Sequence, residues 1–215
     1  MIARPPLAVP IAALAGYLVL LGLVATDWPP LARTDATISA AFRSYGEDRP
    51  EFVAALRVIT DVAATVPFIM IGFAAVLLLR SCGDLRGALL CATVTPLVPT
   101  LWLLMHQLLH RPRPRDGFVT VDSNGFPSGH ATMAAASALV VVLLLWPRLT
   151  RGPRLTVAFL AGGFAVFIGF TRVALLAHWP ADVVGGWLLA LAVVPLAARL
   201  IGPAAEAAAG PSGRR

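Results

Sequence analysis

Residues 62–79 read VAATVPFIMIGFAAVLLL, a stretch of 18 residues without a charged side chain. A helix of about this length and character is needed to cross the ~30 Å hydrocarbon core of a bilayer. The rest of the chain is similar, because 58% of its residues are hydrophobic and only 13% are charged. A soluble domain carries about 25% charged residues. The sequence therefore predicts an integral membrane protein.

Working outward from this stretch, we find five further segments that are long and apolar enough to span or nearly span a membrane. The six predicted spans lie near Pro5–Thr26, Val62–Leu79, Gly87–His106, Gly129–Trp146, Leu155–Thr171 and Ala181–Ile201. They predict an all-α fold, a bundle of six transmembrane helices within one domain over residues 1–202. The fifth span is short, and we expect Pro96 and Pro99 to kink the third. The first span is too long for the apolar core of a secretory signal and is interpreted as a retained helix.

Two segments lie outside the predicted spans. Residues 27–61 form the first loop, where Thr34 or Asp35 is a suitable cap for a short amphipathic helix that runs to Tyr45 along the membrane surface. Such a helix either guides a lipid head group to a site or covers the bundle, and the sequence leaves both open. Residues 203–215 are rich in Ala, Gly and Pro, so we expect a disordered tail.

The charge pattern predicts the orientation of the chain. All 17 basic residues are Arg and the net charge is +6, but they are scattered through loops, so the charge does not indicate nucleic-acid binding. The short loops after the second and fourth spans carry only Arg as basic residues, with Asp84 as the one acid. The positive-inside rule then favours both termini in the cytoplasm. Cys82 and Cys91 fall on that reducing side, which argues against a disulfide, and their spacing fits no metal site.

Three polar clusters interrupt the apolar background. They read HQLLHRPRP over residues 106–114, PSGH over residues 127–130 and TRVALLAHWPAD over residues 171–182. The predicted topology places all three on the same, outer face of the membrane. Ionisable groups beside hydrocarbon are costly and are functional candidates by default, so the clusters predict one shared functional site.

The third cluster has the composition of an activated nucleophile. Pro180 suits the first turn of the last helix, which puts His178 just before that helix and Asp182 one turn further on. Asp182 can accept a hydrogen bond from one imidazole nitrogen and leave the other as a nucleophile. Arg172 closes the fifth span with a planar fork suited to phosphate oxygens. A capped helix start with a surface ion pair would explain the same residues.

The other two clusters suit anion binding. Ser128 and Gly129 begin the fourth helix, where free backbone N–H groups bind anions, and His130 is placed to protonate a departing oxygen. A simple Ser N-cap explains Ser128 but leaves His130 unexplained. In the first cluster, Arg111 and Arg113 alternate with prolines that stiffen the backbone. His110 and Arg115 are interpreted as loop or interface residues.

Together the clusters resemble the type-2 phosphatidic acid phosphatase (PAP2) superfamily of membrane lipid phosphatases, whose signature is Lys-x6-Arg-Pro, Pro-Ser-Gly-His and Ser-Arg-x5-His-x3-Asp. The second motif is intact at Pro127–His130 and the third in Arg172, His178 and Asp182, with Thr171 in place of Ser. The first keeps Arg113-Pro114, but His106 stands at the Lys position. The resemblance covers residues 106–182.

The resemblance implies hydrolysis of a lipid phosphate monoester or diphosphate without a metal or other cofactor. His178 would form a phosphohistidine, Asp182 would orient it, and His130 would protonate the leaving oxygen and then help to activate water. The remaining motif residues would hold the phosphoryl oxygens. These are Arg113, Ser128, Gly129, Arg172 and His106. The implied partners are a membrane lipid and the bilayer, with no nucleic acid.

Several alternatives stay open at this point. The His and Asp residues are possible metal ligands in type, although three arginines would repel a cation; activity in excess EDTA separates these readings. A non-catalytic lipid-phosphate-binding or transport protein is a second alternative. Vanadium haloperoxidases share the motif logic but are soluble. The sequence also leaves the substrate open among prenyl diphosphates, phosphatidate and phosphatidylglycerophosphate, and it does not specify the oligomeric state.

Overall fold

The structure is a computed structural model that describes residues 2–120 and 123–208, with side chains described as far as residue 201. Over these residues the chain is helical and has no strands. The helices are α1 Ala8–Ala25, α2 Pro29–Glu47, α3 Pro50–Thr60, α4 Thr65–Ser81, α5 Leu85–Leu108, α6 Gly129–Leu145, α7 Arg151–Ala174 and α8 Pro180–Ala208. Short 3-10 turns follow α3 and α6.

The predicted all-α bundle with six spans is confirmed. Among the described residues, six helical segments are long and apolar enough to cross a membrane: α1, the segment from α3 through α4, α5, α6, α7 and α8. Helix α7 extends beyond its predicted span at both ends and has 24 residues. The prediction that this span is short was wrong, because the helix begins within the polar residues Arg151–Arg154 and continues past Thr171.

The first loop holds two helices where one was predicted. Prolines at positions 29 and 50 begin α2 and α3, where a missing N–H has no cost. The predicted cap was wrong: Trp28 is the N-cap of α2, and Thr34 donates to the Pro30 carbonyl at 2.9 Å inside the helix. Asp35 also lies within α2, with 2% of its surface exposed, and faces the start of α8.

Helix α8 forms the centre of the bundle, packed against α1, α5 and α6. Helix α6 is rich in buried alanines, and small side chains allow helices in membranes to approach closely. At Gly186 of α8, an added Cβ would lie 2.8 Å from the Ser128 carbonyl oxygen. Because glycine has no Cβ, the beginnings of α6 and α8 can lie side by side in close contact.

The last helix begins close to its predicted start but ends later than predicted. Helix α8 continues to Ala208, so residues 203–208 are helical and the predicted disordered tail is wrong for them. Residues 209–215 lie outside the described part of the chain. Cys82 and Cys91 are free thiols.

Candidate active site

The three polar clusters meet at one end of the bundle. The last turn of α5, the first turn of α6, the last turn of α7 and the first turn of α8 all lie there, because successive spans alternate in direction. The Ser128 amide donates to the Asp182 carbonyl at 2.9 Å. Arg113 approaches His178 at 2.9 Å. Residues far apart in the sequence are therefore brought into contact.

His178 is held in one tautomer by a backbone carbonyl. Its Nδ1 lies 2.8 Å from the Gly125 carbonyl oxygen. Since a carbonyl only accepts, Nδ1 carries the proton and Nε2 keeps its lone pair. Burial lowers the pKa of His178 to about 4, and the nearby Asp182 carboxylate offsets only part of that effect. The side chain is therefore a neutral imidazole at physiological pH, with Nε2 available as a nucleophile.

Asp182 lies beside His178, but at a longer distance than a typical hydrogen bond. Its Oδ2 is 3.6 Å from His178 Nδ1, compared with 2.8 Å between the same nitrogen and the Gly125 carbonyl oxygen. The same oxygen accepts the Trp179 amide at 2.9 Å and caps α8. The first turn of a helix needs acceptors for its free N–H groups, and Asp182 satisfies that need. Gly125 orients the imidazole, while Asp182 acts on it through its nearby charge.

Arg111 is the partner that keeps the Asp182 charge in place. It forms ion pairs with Asp182 Oδ1 and, at 2.7 Å, with Asp35 Oδ2. Asp35 Oδ1 also accepts the Ala181 amide at 3.0 Å. Burial raises the pKa of Asp35, and hydrogen bonds from Arg111 and Ala181 work against this rise. Sequence reasoning named Arg111 only as a stiffened loop arginine and missed the role of Asp35. The sequence offered no signal for this role, because an acid on an amphipathic helix is usually solvated.

Arg113 contacts the ring nitrogen of His178 that keeps its lone pair. Its Nη1 lies 2.9 Å from His178 Nε2 and donates to the Ala177 carbonyl at 2.6 Å. On the other side it donates to the Ser123 carbonyl at 2.8 Å and to the Ser123 hydroxyl at 3.0 Å. Burial lowers the pKa of Arg113. This guanidinium therefore lies against the free ring nitrogen of His178, between that nitrogen and Ser123.

Arg172 is fixed by a residue that sequence reasoning did not identify. With 5% of its surface exposed, it donates from Nη1 to the Thr60 hydroxyl at 3.2 Å. The Thr171 hydroxyl, which replaces the Ser of the family motif, donates to the Ile168 carbonyl at 2.7 Å and lies 2.9 Å from the Thr60 hydroxyl. Thr60 is the last residue of α3. The first loop thus contributes directly to the site.

Several motif residues have buried polar atoms without a partner in the described part of the chain. They are Ser128 Oγ, His130 Nε2, Arg172 Nε and both ring nitrogens of His106. Ser128 occupies the N-cap position of α6, but its hydroxyl makes no cap hydrogen bond, so the simple N-cap reading does not hold. Buried polar groups are nearly always hydrogen-bonded. Unpartnered donors gathered around a helix N-terminus are typical of an anion site.

A cavity of about 460 Å³ opens beside this group. It is lined by Arg57, Thr60, Asp61, Phe118, Val119, Thr120, His130 and Arg172. Within the described residues, no three His, Cys, Asp or Glu side chains form a cluster that would hold a metal ion. The arrangement can bind a phosphoryl group between two arginines, with one neutral histidine to attack it and a second to exchange a proton.

Comparison with known proteins agrees with this geometry. The model of the PAP2 superfamily matches residues 31–205. Phosphatidylglycerophosphatase B of Escherichia coli (strain K12) is 43% identical over 82 residues, 36% of this chain and 31% of that protein. Lipid A 1-phosphatase of Rhizobium etli is 37% identical over 86 residues, 38% of this chain and 32% of that protein. The matches thus span about a third of the length of these relatives.

A solved structure is similar over nearly the whole chain. It is a transmembrane PAP2-type phosphatidylglycerolphosphate phosphatase from Bacillus subtilis, with a TM-score of 0.75 and 26% sequence identity. The superposition covers 94% of this chain and 98% of that one. The family match, the six-span fold and the converging motifs agree, and this multi-pass membrane protein belongs to the PAP2 superfamily.

Proposed function

We propose that this protein is a membrane phosphatase that hydrolyses a lipid phosphate or diphosphate through a phosphohistidine, without a metal. One observation carries the proposal: unpartnered buried polar atoms of Ser128, His130 and Arg172 gather at the same end of the bundle as a neutral His178. Donors held ready for an oxyanion are the largest single contribution in many such reactions.

Binding begins when the phosphate enters between the two arginines. Arg172 and the Ser128 hydroxyl donate to its oxygens, and the Gly129 amide lies at the positive end of α6. Arg113 transfers its Nη1 hydrogen bond from His178 Nε2 to a phosphoryl oxygen. That exchange frees the lone pair of the nucleophile only when a phosphate is present. His106 lies behind this group, packed on Trp102 with ring centroids 5.0 Å apart.

The covalent step forms a bond between His178 Nε2 and phosphorus and breaks the bond from phosphorus to the lipid oxygen. The electron pair of the broken bond leaves with that oxygen, and His130 supplies its proton. The phosphohistidine ring carries a positive charge, which the Gly125 carbonyl and the nearby Asp182 carboxylate stabilise. Water then attacks phosphorus, His130 takes its proton, and His178 leaves as neutral imidazole.

The substrate is a lipid phosphate, for which three classes remain: phosphatidylglycerophosphate, prenyl diphosphates and phosphatidate. Among these three, the similarity to two phosphatidylglycerophosphate phosphatases favours phosphatidylglycerophosphate. The apolar surface of the bundle supports a substrate that stays in the bilayer while its head group enters the site.

We place the site on the outer face, with both termini in the cytoplasm. The site is at the end where α5 and α7 finish. Five arginines lie at the opposite end, in or within one turn of the short connections after α4 and α6: Arg80, Arg86, Arg148, Arg151 and Arg154. The positive-inside rule assigns that end to the cytoplasm.

The proposal is tested by phosphate release from a panel of these lipids by the purified full chain in excess EDTA. Wild-type protein should release phosphate from at least one lipid, and His178→Ala should abolish release while keeping the same thermal unfolding. Release by His178→Ala at the wild-type rate would contradict the assignment. Lipid binding without release by the wild type would indicate the alternative, a binding or transport protein on the same scaffold.

A further inference from the structure

The cavity beside His130 has a second cationic wall. His130 and Arg172 lie on the side of the phosphoryl site, and Arg57 of α3 completes the lining together with Thr120. Arg57 is exposed to the cavity rather than buried. It belongs to no motif of the family signature and takes no part in the chemistry described above.

The direction of the reaction decides what this cavity receives. Phosphoryl transfer requires the attacking and leaving oxygens or nitrogens to lie roughly in line. His178 attacks from one side, so the leaving oxygen lies on the opposite side, within reach of the proton on His130. Because His130 lines the cavity, the cavity holds the part of the substrate that departs.

The charges of the lining favour an anion there. Asp61 interacts electrostatically with Arg172 and so offsets the arginine that already serves the reacting phosphate. Arg57 remains for a second group. One of its terminal nitrogens donates to the Phe118 carbonyl, which fixes the guanidinium at the wall. The other N–H groups of an arginine fork can still donate to phosphate oxygens.

We propose that Arg57, with Thr120, binds a second phosphate carried by the leaving group, which makes lipids with two phosphates the preferred substrates. This inference rests on the proposed phosphatase function and specifies its substrate class. Phosphatidylglycerophosphate and prenyl diphosphates carry a second phosphate on the leaving side. Phosphatidate does not, because its leaving group is a neutral diacylglycerol.

The test compares substrates rather than rates alone. For the full-length protein in mixed micelles, kcat/KM is measured with phosphatidylglycerophosphate, farnesyl diphosphate and phosphatidate. Arg57→Gln should lower the ratio of kcat/KM for a two-phosphate lipid over phosphatidate by about tenfold, as expected for one charge-assisted contact. Arg57→Lys should restore most of the ratio. Whichever of the two-phosphate lipids shows the larger change identifies the spacing between phosphates that the cavity fits.

A matched control is available on the same loop. Arg49 stacks on the Tyr45 ring at 4.0 Å and does not line the cavity, so Arg49→Gln should keep the wild-type ratio. Where phosphatidate turnover is too slow to measure, its inhibition constant replaces its kcat/KM.

The outcomes separate the two proposals. If wild-type protein releases phosphate from none of these lipids, the proposed function fails. If wild-type protein is active and Arg57→Gln lowers kcat/KM by the same factor for lipids with one and two phosphates, the phosphatase stands and the second phosphate site is overturned. Equal ratios for Arg57→Gln and Arg49→Gln would overturn it as well.

Discussion

The two ends of the bundle each carry an arginine paired with an aspartate at the start of a helix, but the surroundings differ. At the Arg-rich end, Arg148 pairs with Asp84, which caps α5, and the side chains are 39% and 14% exposed. At the site end, Arg111 pairs with Asp182, which caps α8, and the side chains are 13% and 0% exposed. Arg111 is also shared with Asp35 of α2. Burial and the shared partner turn a helix cap into a support for the candidate nucleophile.

The largest difference between the two ion pairs should appear when Arg111 and Arg148 are each replaced by alanine. Arg111→Ala leaves two buried carboxylates unpaired, so we expect a loss of about 3–5 kcal/mol in the free energy of unfolding. Arg148→Ala should cost at most about 1 kcal/mol, because a partly exposed pair is screened by solvent. Denaturation in mixed micelles measures both. Equal losses in the two variants would show that burial does not distinguish the pairs.

Activity should separate the same two variants as well. A displaced Asp182 shifts the start of α8 and with it His178, and misplacement by about 1 Å costs about 100-fold in rate. Arg111→Ala should therefore lose about 100-fold in kcat, measured by phosphate release from the best lipid of the panel. Arg148→Ala serves as the control and should stay within about twofold of the wild type.

A second contrast is between the pKa of the buried His178 and the pKa of an ordinary, exposed histidine. A buried neutral histidine must have a lowered pKa, and here it falls to about 4 from an ordinary value of ~6.5. The neutral, nucleophilic form therefore persists as pH falls through 6 and is lost only near 4. The chain has 4 histidines, so nitrogen NMR of histidine-labelled protein can follow His178, assigned with His178→Ala. A midpoint near 6.5 would contradict the buried, carbonyl-oriented ring.

The contributions of Asp84 and Asp35 to stability should change with pH in opposite directions. Burial raises the pKa of Asp84, but the Gly87 amide and Arg148 outweigh it and the net pKa is lowered, so its contribution to stability is lost as pH falls. Burial raises the pKa of Asp35, so its contribution is lost as pH rises above the ordinary value. As pH rises from 3.5 to 7, the loss of melting temperature caused by Asp84→Asn should grow, and the loss caused by Asp35→Asn should shrink. Parallel slopes would contradict the contrast.

The smallest effect is expected at Thr60. Thr60→Val removes the hydroxyl that accepts from Arg172 at 3.2 Å but keeps the shape of the side chain. Without this hydrogen bond, Arg172 is held less firmly for binding the phosphate, so KM should rise by about 5- to 10-fold. Thr60→Ser keeps the hydroxyl and should restore the wild-type KM. No rescue by serine would mean that Thr60 acts through packing alone.

The parts of the molecule that the sequence predicts are those that depend on local composition. Six spans follow from apolar length, and the shared face of the three clusters follows from counting those spans. The pairing within the site depends on tertiary contacts. Spacing alone put Asp182 one turn from His178, but the same oxygen is needed by the Trp179 amide. Gly125 offers only a backbone carbonyl, which no side-chain pattern reveals.

The first loop shows the same limit. Asp35, Arg57 and Thr60 lie in the first loop, residues 27–61, where the sequence predicted a single surface helix that ends at Tyr45. Their roles appear only when α2 packs against α7 and α8, and α3 against α7. An acid on an amphipathic helix is usually solvated, so its pattern did not predict a buried ion pair.

The central claim is that the phosphoryl group passes through His178, and trapping the intermediate tests it most directly. His130→Ala slows both proton transfers, so the phosphorylated form should accumulate. The variant is incubated with a diphosphate lipid that carries ³²P on its terminal phosphate. The better leaving group of a diphosphate still allows His178 to be phosphorylated. We expect an alkali-stable, acid-labile label on the peptide that contains His178, and no label in the His130→Ala/His178→Ala double variant. Label on another residue would contradict the covalent route. So would inversion at phosphorus when the wild type hydrolyses a substrate whose terminal phosphorus is made chiral by sulfur and oxygen isotopes.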